Sequence, residues 1–397
     1  MSTAGGESSV VDERVTRRRT LRALGTAGVT ALAGCGAGSG RGEDEDITPS
    51  ATPTERATAT PTTTPARTSE VCMDPVGCLS FDEPPERWVA NAGIYCDMGV
   101  ALGLADRLVA IGSPRRYYTG YYDQLPGVSL DKSARPALSA GARMSKEAFY
   151  AADADVHVMD PVWLMGTFGW TEADVTEIAE NVAPFFGNYI RERSDEWHDY
   201  RYYSLSEAFG KVARLFDRVE RYERLESVRR EMAARIESNL PDERAEVLLL
   251  RPQGIPPRSF YPQYLDDSVS DYQWTVVAVD DALTGSSIPR WGATVDYETL
   301  ARLDPEVIVM ETQFADDFVL DRASFREFAL DTMRDHPVAR DVQAVRNGRV
   351  YSGGINYQGP LISLFQTEHA AQSVYPDTFD GQLFDRDRVA RIVTGET

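Results

Sequence analysis

Aromatic rings and guanidinium groups run together in this chain wherever chemistry could follow. They fill Ser113-Pro-Arg-Arg-Tyr-Tyr-Thr-Gly-Tyr-Tyr122, and they recur at Tyr95, at Trp163 with Phe168 and Trp170, and at Arg251. Further instances are Phe260 with Tyr261, Arg290 with Trp291, and Asn356-Tyr357-Gln358. Planar faces bury area at small entropic cost and arginine forks hold carboxylate-like oxygens, so the set suits a bulky, partly anionic small molecule. Tyr117, Tyr118, Tyr121 and Tyr122 also carry phenols able to coordinate ferric ion. No cluster supports them, because His157, His198, His336 and His369 lie far apart with no tight His/Cys ligand spacing. Any metal is therefore expected to arrive already chelated, with no intrinsic cofactor and no protein metal centre. The nucleophile elbow, the phosphate loop and His-Glu-x-x-His are all missing from the sequence. An enzyme is not expected.

The elements that must position these residues come in two like sets. Gly141 to Asp160 aligns without a gap on Gly292 to Glu311, 151 positions later, with seven identities in twenty. Each copy reads as a short helix opened by an acidic residue, a turn at Asp153 or Asp304, and a buried strand, Val156 to Met159 or Val307 to Met310. Around the first copy lie a strand over 87–92, a helix over 95–104, a strand over 107–111 and a helix over 172–181. Around the second lie strands over 245–250 and 275–279, a helix end with an Asn-Gly turn and a strand over 342–351, then a helix over 361–374 and a polar tail. This βαβ rhythm implies mostly parallel sheets covered on both faces. The expected fold is α/β, with two Rossmann-like lobes and a cleft between them. Between the halves, Ser204-Leu-Ser-Glu207 is a capping box opening a helix to about Phe216. A second helix over 221–238 stripes Leu225, Val228, Met232 and Ile236 on one face and ends before Pro241. Its eighteen residues span roughly 27 Å, long enough to cross from one lobe to the other.

The ends are of another kind. Arg17-Arg-Arg-Thr-Leu-Arg22 is a basic region with a twin-arginine look, followed by an apolar stretch of small residues closing at Leu32-Ala-Gly-Cys35. Such a stretch is too short for a hydrocarbon core needing roughly 20 residues, so residues 1–35 read as a signal peptide. Cys35 stands where a lipobox places its lipidated cysteine, and two lipid chains anchor stably where one is marginal. Residues 36–80 read as a Thr/Pro-rich, solvated tether that cannot bury enough apolar surface to order itself. The remaining boundaries are a first lobe over 81–203, connecting helices over 204–240, and a second lobe over 241–397. Cys72 and Cys78 could close a small disulfide loop, leaving Cys96 odd. Net charge is −21 and lysine occurs only at 132, 146 and 211. That acidic, lysine-poor surface fits concentrated salt, where the Debye length falls to about 3 Å. It also argues against nucleic acid, which would need a basic stripe.

Taken in order, the lobe pattern, the crossing helix, Ala344-Val-Arg-Asn-Gly-Arg-Val-Tyr351 and Glu368-His-Ala-Ala-Gln-Ser-Val-Tyr-Pro-Asp377 resemble one family over about residues 85–380. It is the substrate-binding lipoproteins of ATP-driven importers for ferric siderophores and vitamin B12, here of haloarchaeal type. The resemblance implies two α/β lobes joined by a single long helix, with the ligand between them on loops that follow the strands. It makes Tyr95, Arg115, Arg116, Tyr117, Trp163, Arg251, Tyr261, Trp291 and Tyr357 the candidate ligand contacts. It places one permease-docking glutamate on each lobe, Glu147 and Glu298, on the helix before the strand of each repeat. It implies a monomer held at the outer face of the membrane by its lipid alone, serving an ABC permease dimer with its ATPase. The expected cargo is an iron(III) chelate of hydroxamate type, with vitamin B12 or haem as the alternative. A tetrapyrrole chelatase shares the bilobal layout but relies on histidines, and a surface sensor would predict no small-molecule ligand.

Overall fold

The computed structural model describes residues 69–396, apart from 141–142, 194–196, 255 and 316–321. The signal segment, Cys35 and most of the expected tether lie outside the described residues, as do the first two residues of the first repeat copy.

The boundary expected at residue 80 is corrected. Strands β1 (Ser69–Met73) and β2 (Gly77–Phe81) form an antiparallel hairpin in which Cys72 faces Cys78, joined by a disulfide. Val71 and Met73 alternate into the core, and that apolar burial offsets the cost of ordering which a purely polar tether could not meet.

The first lobe follows as β3 (Trp88–Ala90), α1 (Gly93–Ala101), β4 (Leu108–Ile111), β5 (Ser139–Ala140), β6 (Arg143–Met144), α2 (Lys146–Ala152), β7 (Val156–Val158), α3 (Pro161–Phe168) and α4 (Glu172–Asn181). Its main sheet is parallel, in the order β4-β3-β7. Local chemistry sets the helix starts. Asp160 accepts from the Val162 and Trp163 N–H groups ahead of α3, with Pro161 at the first turn, and Thr171 forms a capping box with Asp174 ahead of α4.

Helices α5 (Leu205–Leu215) and α6 (Val219–Glu237) connect the lobes. The Ser204/Glu207 capping box is present, and the 225, 228, 232 and 236 stripe of α6 is buried. Those four residues join the shared apolar core, and α6 packs on α5 as well as on helices of the second half of the chain.

The second lobe comprises β8 (Glu246–Gln253), β9 (Ser259–Gln263), α7 (Tyr272–Val277), β10 (Asp280–Asp281), α8 (Tyr297–Leu303), β11 (Val307–Thr312), α9 (Arg322–Phe325), α10 (Asp331–Asp335), α11 (Gln343–Arg346), β12 (Val350–Ile355), α12 (Pro360–Val374) and α13 (Arg386–Thr394). The sheet order is β10-β8-β11-β12, all parallel, with β9 antiparallel on β8. Two expectations fail here. Residues 275–279, expected as a strand, mostly belong to α7: Gln273, Trp274 and Val277 are buried at helical spacing while Thr275 is exposed. The polar tail carries α13, which buries Val389, Ile392 and Val393 and packs on α6.

β7 and β11, the strands of the two repeat copies, lie in separate sheets. Each sheet has its own outer core, around Phe149 and Ile178 in one and Leu300 and Val345 in the other. Their inner faces share a third. Val156 and Val158 of one sheet, and Val247, Leu249, Val307 and Val309 of the other, join a single apolar cluster with residues of α1, α5, α6, α7 and α12.

Candidate functional site

Two adjoining hollows of about 390 and 520 Å³ open between the sheets and share Arg116 and Thr167. They sit beyond the carboxyl ends of the strands, the usual crevice of open α/β sheets. The loop after β4 supplies Ser113 to Arg116, α3 after β7 supplies Trp163, Thr167 and Phe168, and Tyr189, Arg191, Glu192, Arg193 and Trp197 complete the first-lobe side. The second lobe contributes Gln313 and Phe314 after β11, Tyr357 after β12, and Trp291.

Contacts across the cleft are cationic and aromatic. Arg116 Nη1 donates to the Tyr357 hydroxyl at 2.7 Å, and the Arg115 guanidinium stands 4.6 Å from the centre of the Phe314 ring. The Ala315 N–H donates to the Arg115 carbonyl at 2.6 Å. Arg191 packs over the rings of Tyr357 and Tyr189, donates through Nε to the Tyr189 hydroxyl at 2.9 Å, and pairs with Glu192. With its amide oxygen turned to the arginines, Asn356 accepts from Arg251 at 2.8 Å and Arg191 at 3.0 Å. Arg251 is held in turn by buried Glu311 at 2.9 Å. Three guanidinium groups, Arg116, Arg191 and Arg193, line the smaller hollow against one carboxylate, Glu192. In a chain of net charge −21, that is a local inversion of sign, and it favours oxygen-rich or anionic ligands. Burial pushes the Tyr189 phenol up to about 12, the effect of Arg191 opposing it, so it stays a neutral wall of the cleft.

Arg115, Arg116, Trp163, Trp291 and Tyr357 therefore line the cleft. The other four ligand candidates stand outside the linings of these two hollows. Tyr95 lies within α1, its hydroxyl donating to the Asn188 carbonyl at 2.7 Å and accepting from the Asn188 N–H at 2.9 Å, and lines a small hollow of about 20 Å³ that shares Trp163, Tyr189, Arg191 and Tyr357 with the cleft. Tyr117 is fully buried and hydrogen-bonded to Tyr122 at 2.6 Å. Arg251 stands behind Asn356 and positions it. Tyr261 is exposed on β9, away from both hollows. Tyr189, Arg191, Arg193, Trp197 and Phe314 were not anticipated. For the first four the signal was the run Tyr189-Ile-Arg-Glu-Arg193 before Trp197, which repeats the mixture seen at 113–122; Phe314 carried no such signal.

Of the four phenols able to coordinate ferric ion, Tyr122 donates to Asp97 and Tyr117 shares a hydrogen bond with Tyr122, while the Tyr121 ring stacks on Phe365. Among the described residues, Glu70, Cys72 and Cys78 are close enough to share a metal, but the disulfide removes both thiolates.

Glu147 and Glu298 lie exposed in the first turns of α2 and α8. Ser145 donates to Glu147 at 2.6 Å, which holds its carboxyl below the usual range.

Residues 93–356 match the family described as periplasmic binding protein. Among solved structures, the chain is similar to a periplasmic binding protein from Veillonella parvula, at 18% identity and a TM-score of 0.55, covering 79% of this chain and 94% of that one. It is also similar to an ABC-type Fe3+-hydroxamate transport system from Saccharomonospora viridis (19% identity, TM-score 0.52, 75% and 96% covered). A third is Helicobacter pylori Ceue with Ni(II) bound (14% identity, TM-score 0.54, 82% and 96% covered). At these identities the likeness speaks for the fold alone. No curated protein matches the sequence.

Proposed function

The chain belongs to the periplasmic binding protein family, and on that footing we propose that it captures a ferric siderophore of hydroxamate type and hands it to an ABC permease dimer with its ATPase. The observation that carries this reading is the cleft at the strand ends, where Arg116 and Arg191 converge on Tyr357 between aromatic walls. Guanidinium forks donate to the oxygens that surround a chelated ferric ion, and the rings cover its organic rim. The protein supplies no iron ligand of its own in this reading; the chelate is cargo.

Glu147 and Glu298 serve as the permease contacts, one on each lobe. Matching carboxylates on equivalent helices suit a two-fold symmetric partner, and at high salt only close, charge-assisted hydrogen bonds escape screening. The protein works as an exported monomer of a salt-adapted cell, tethered at the outer membrane face through lipid on Cys35. Among the described residues no helix is long and apolar enough to cross a membrane.

The test is tryptophan fluorescence of the purified protein titrated with ferric hydroxamates, ferric catecholates, haem and cobalamin. Trp163, Trp197 and Trp291 line the cleft, so saturable quenching by a ferric hydroxamate is expected. Tight binding of haem or cobalamin alone would replace the cargo. Turnover of a tetrapyrrole with free metal would make the protein a chelatase, and silence toward all four classes would sink the reading.

A further inference from the structure

The start of α12 meets the body of α1 with almost nothing between them. A Cβ added at Gly359 would stand 2.6 Å from both Asp97 Cβ and the Ile94 carbonyl oxygen, and one at Gly93 would stand 2.4 Å from the Tyr357 carbonyl oxygen. Glycine at these two positions is what lets the helices approach. Into the contact reaches Asp97 of α1, fully buried. Its Oδ2 accepts from the N–H groups of Leu361 at 2.8 Å and Ile362 at 3.1 Å. Those donors open α12, whose own N-cap is Gly359 and whose first residue is Pro360, so neither offers a side-chain cap or an N–H of the first turn. The cap of this fifteen-residue second-lobe helix thus comes from the first lobe, more than 260 positions earlier in the chain.

Asp97 is also wired to both walls of the cleft. Its Oδ1 accepts from the Tyr122 hydroxyl at 2.5 Å, and Tyr122 pairs with Tyr117 at 2.6 Å. Tyr117 directly follows Arg116, and Tyr357, which accepts from Arg116, lies three residues before Pro360.

We propose that Asp97 is a positioning residue that sets the spacing of the two lobes: it caps α12 across the lobe contact and thereby holds the Arg116 and Tyr357 walls of the cleft in register. The consequence for ligand rests on the cleft being the binding site, but the spacing itself is measured without ligand.

Spin labels at the exposed positions Glu172 and Arg302, one on each lobe, report the inter-lobe distance distribution in the purified protein. Asp97→Ala is expected to shift the mean by about 1–2 Å, the scale of helix shifts at packed interfaces, and to broaden the distribution. Asp97→Asn keeps an oxygen that accepts from Leu361 and Ile362, and is expected to restore the distribution of the unsubstituted protein. Phe149→Leu, which loosens the outer core of the first lobe alone, is expected to leave the distances unchanged, separating positioning from stability. A folded Asp97→Ala with unaltered distances overturns the proposal, as does an Asn variant that behaves like Ala or a Phe149→Leu that moves the lobes equally. If Asp97→Ala does not fold, Asp97→Ser decides, because its shorter side chain cannot span to the Leu361 and Ile362 N–H groups: a shifted or broadened distribution supports the proposal and an unaltered one overturns it. Failure of every chelate to bind the unsubstituted protein would end the cargo reading and leave these distances untouched.

Discussion

Asp153 and Asp304 stand 151 positions apart in the same left-handed conformation, φ 48° and 45°, each ending a helix of seven residues. That region is uncommon for a residue with a Cβ, and aspartate is among those that tolerate it. Two lobes therefore repeat a helix, an unusual turn and a strand in identical order, with helices of equal length. Glu147 and Glu298, one residue into their helices, occupy equivalent places by construction.

That equivalence makes the glutamates separable from the cleft. Glu147→Ala and Glu298→Ala are each expected to abolish uptake in whole cells. Ligand affinity of the purified variants should stay within about 0.5 kcal/mol, because surface changes far from a site rarely cost more. A large loss of affinity in either would contradict the docking role.

Arg116 carries the opposite expectation. Loss of a charged hydrogen-bond donor costs about 1.5–3 kcal/mol, so Arg116→Ala should weaken ferric hydroxamate binding by roughly 10- to 100-fold in a fluorescence titration. Arg116→Lys keeps the charge without the planar fork and should fall between. Unaltered affinity in both would remove the cleft floor from the binding site.

The hairpin disulfide closes a short loop, and loop-closure entropy assigns such a crosslink roughly 2 kcal/mol. Replacing Cys72 and Cys78 together by serine should lower the unfolding free energy by about that amount in a denaturant melt. No change would mean that the buried Val71 and Met73 hold the hairpin alone.

Burial pushes the Asp97 carboxyl from its ordinary 3.8 up to about 7, against hydrogen bonds from Tyr122 and the α12 N–H groups. A folded-state value above the unfolded one means a stabilising contribution fully present below pH 3.8 and lost as pH rises through about 7. The network accommodates both forms, since a protonated Oδ1 can donate to Tyr122 while Oδ2 keeps its two N–H donors. Asn at this position does not titrate. The melting-temperature deficit of Asp97→Asn should therefore be larger at pH 5 than at pH 8; a deficit constant across that window would contradict the raised value.

Helix starts were legible because their chemistry is local. The capping box at Ser204 and Glu207, and the acidic openings of α2 and α8, lie within a few residues of what they start. Residues 275–279 were not legible, because a short apolar run fits a strand or a buried helix, and packing against α12 decides. The site divides in the same way. The Arg115–Arg116 run announces a cationic loop, but nothing near Tyr117 in sequence says that it turns inward toward Tyr122 and Asp97. Arg191 escaped notice because the ring it covers, Tyr357, lies far along the chain.

Val158 and Val309 sit in different sheets yet in one apolar filling. A wide jaw-like swing would have to tear that filling open and wet it, so the empty and loaded carrier keep nearly one outline. Cargo would then enter past rim groups such as half-exposed Trp291. In the proposed reading, prising the halves apart becomes work for an ATP-driven importer docked on both of them.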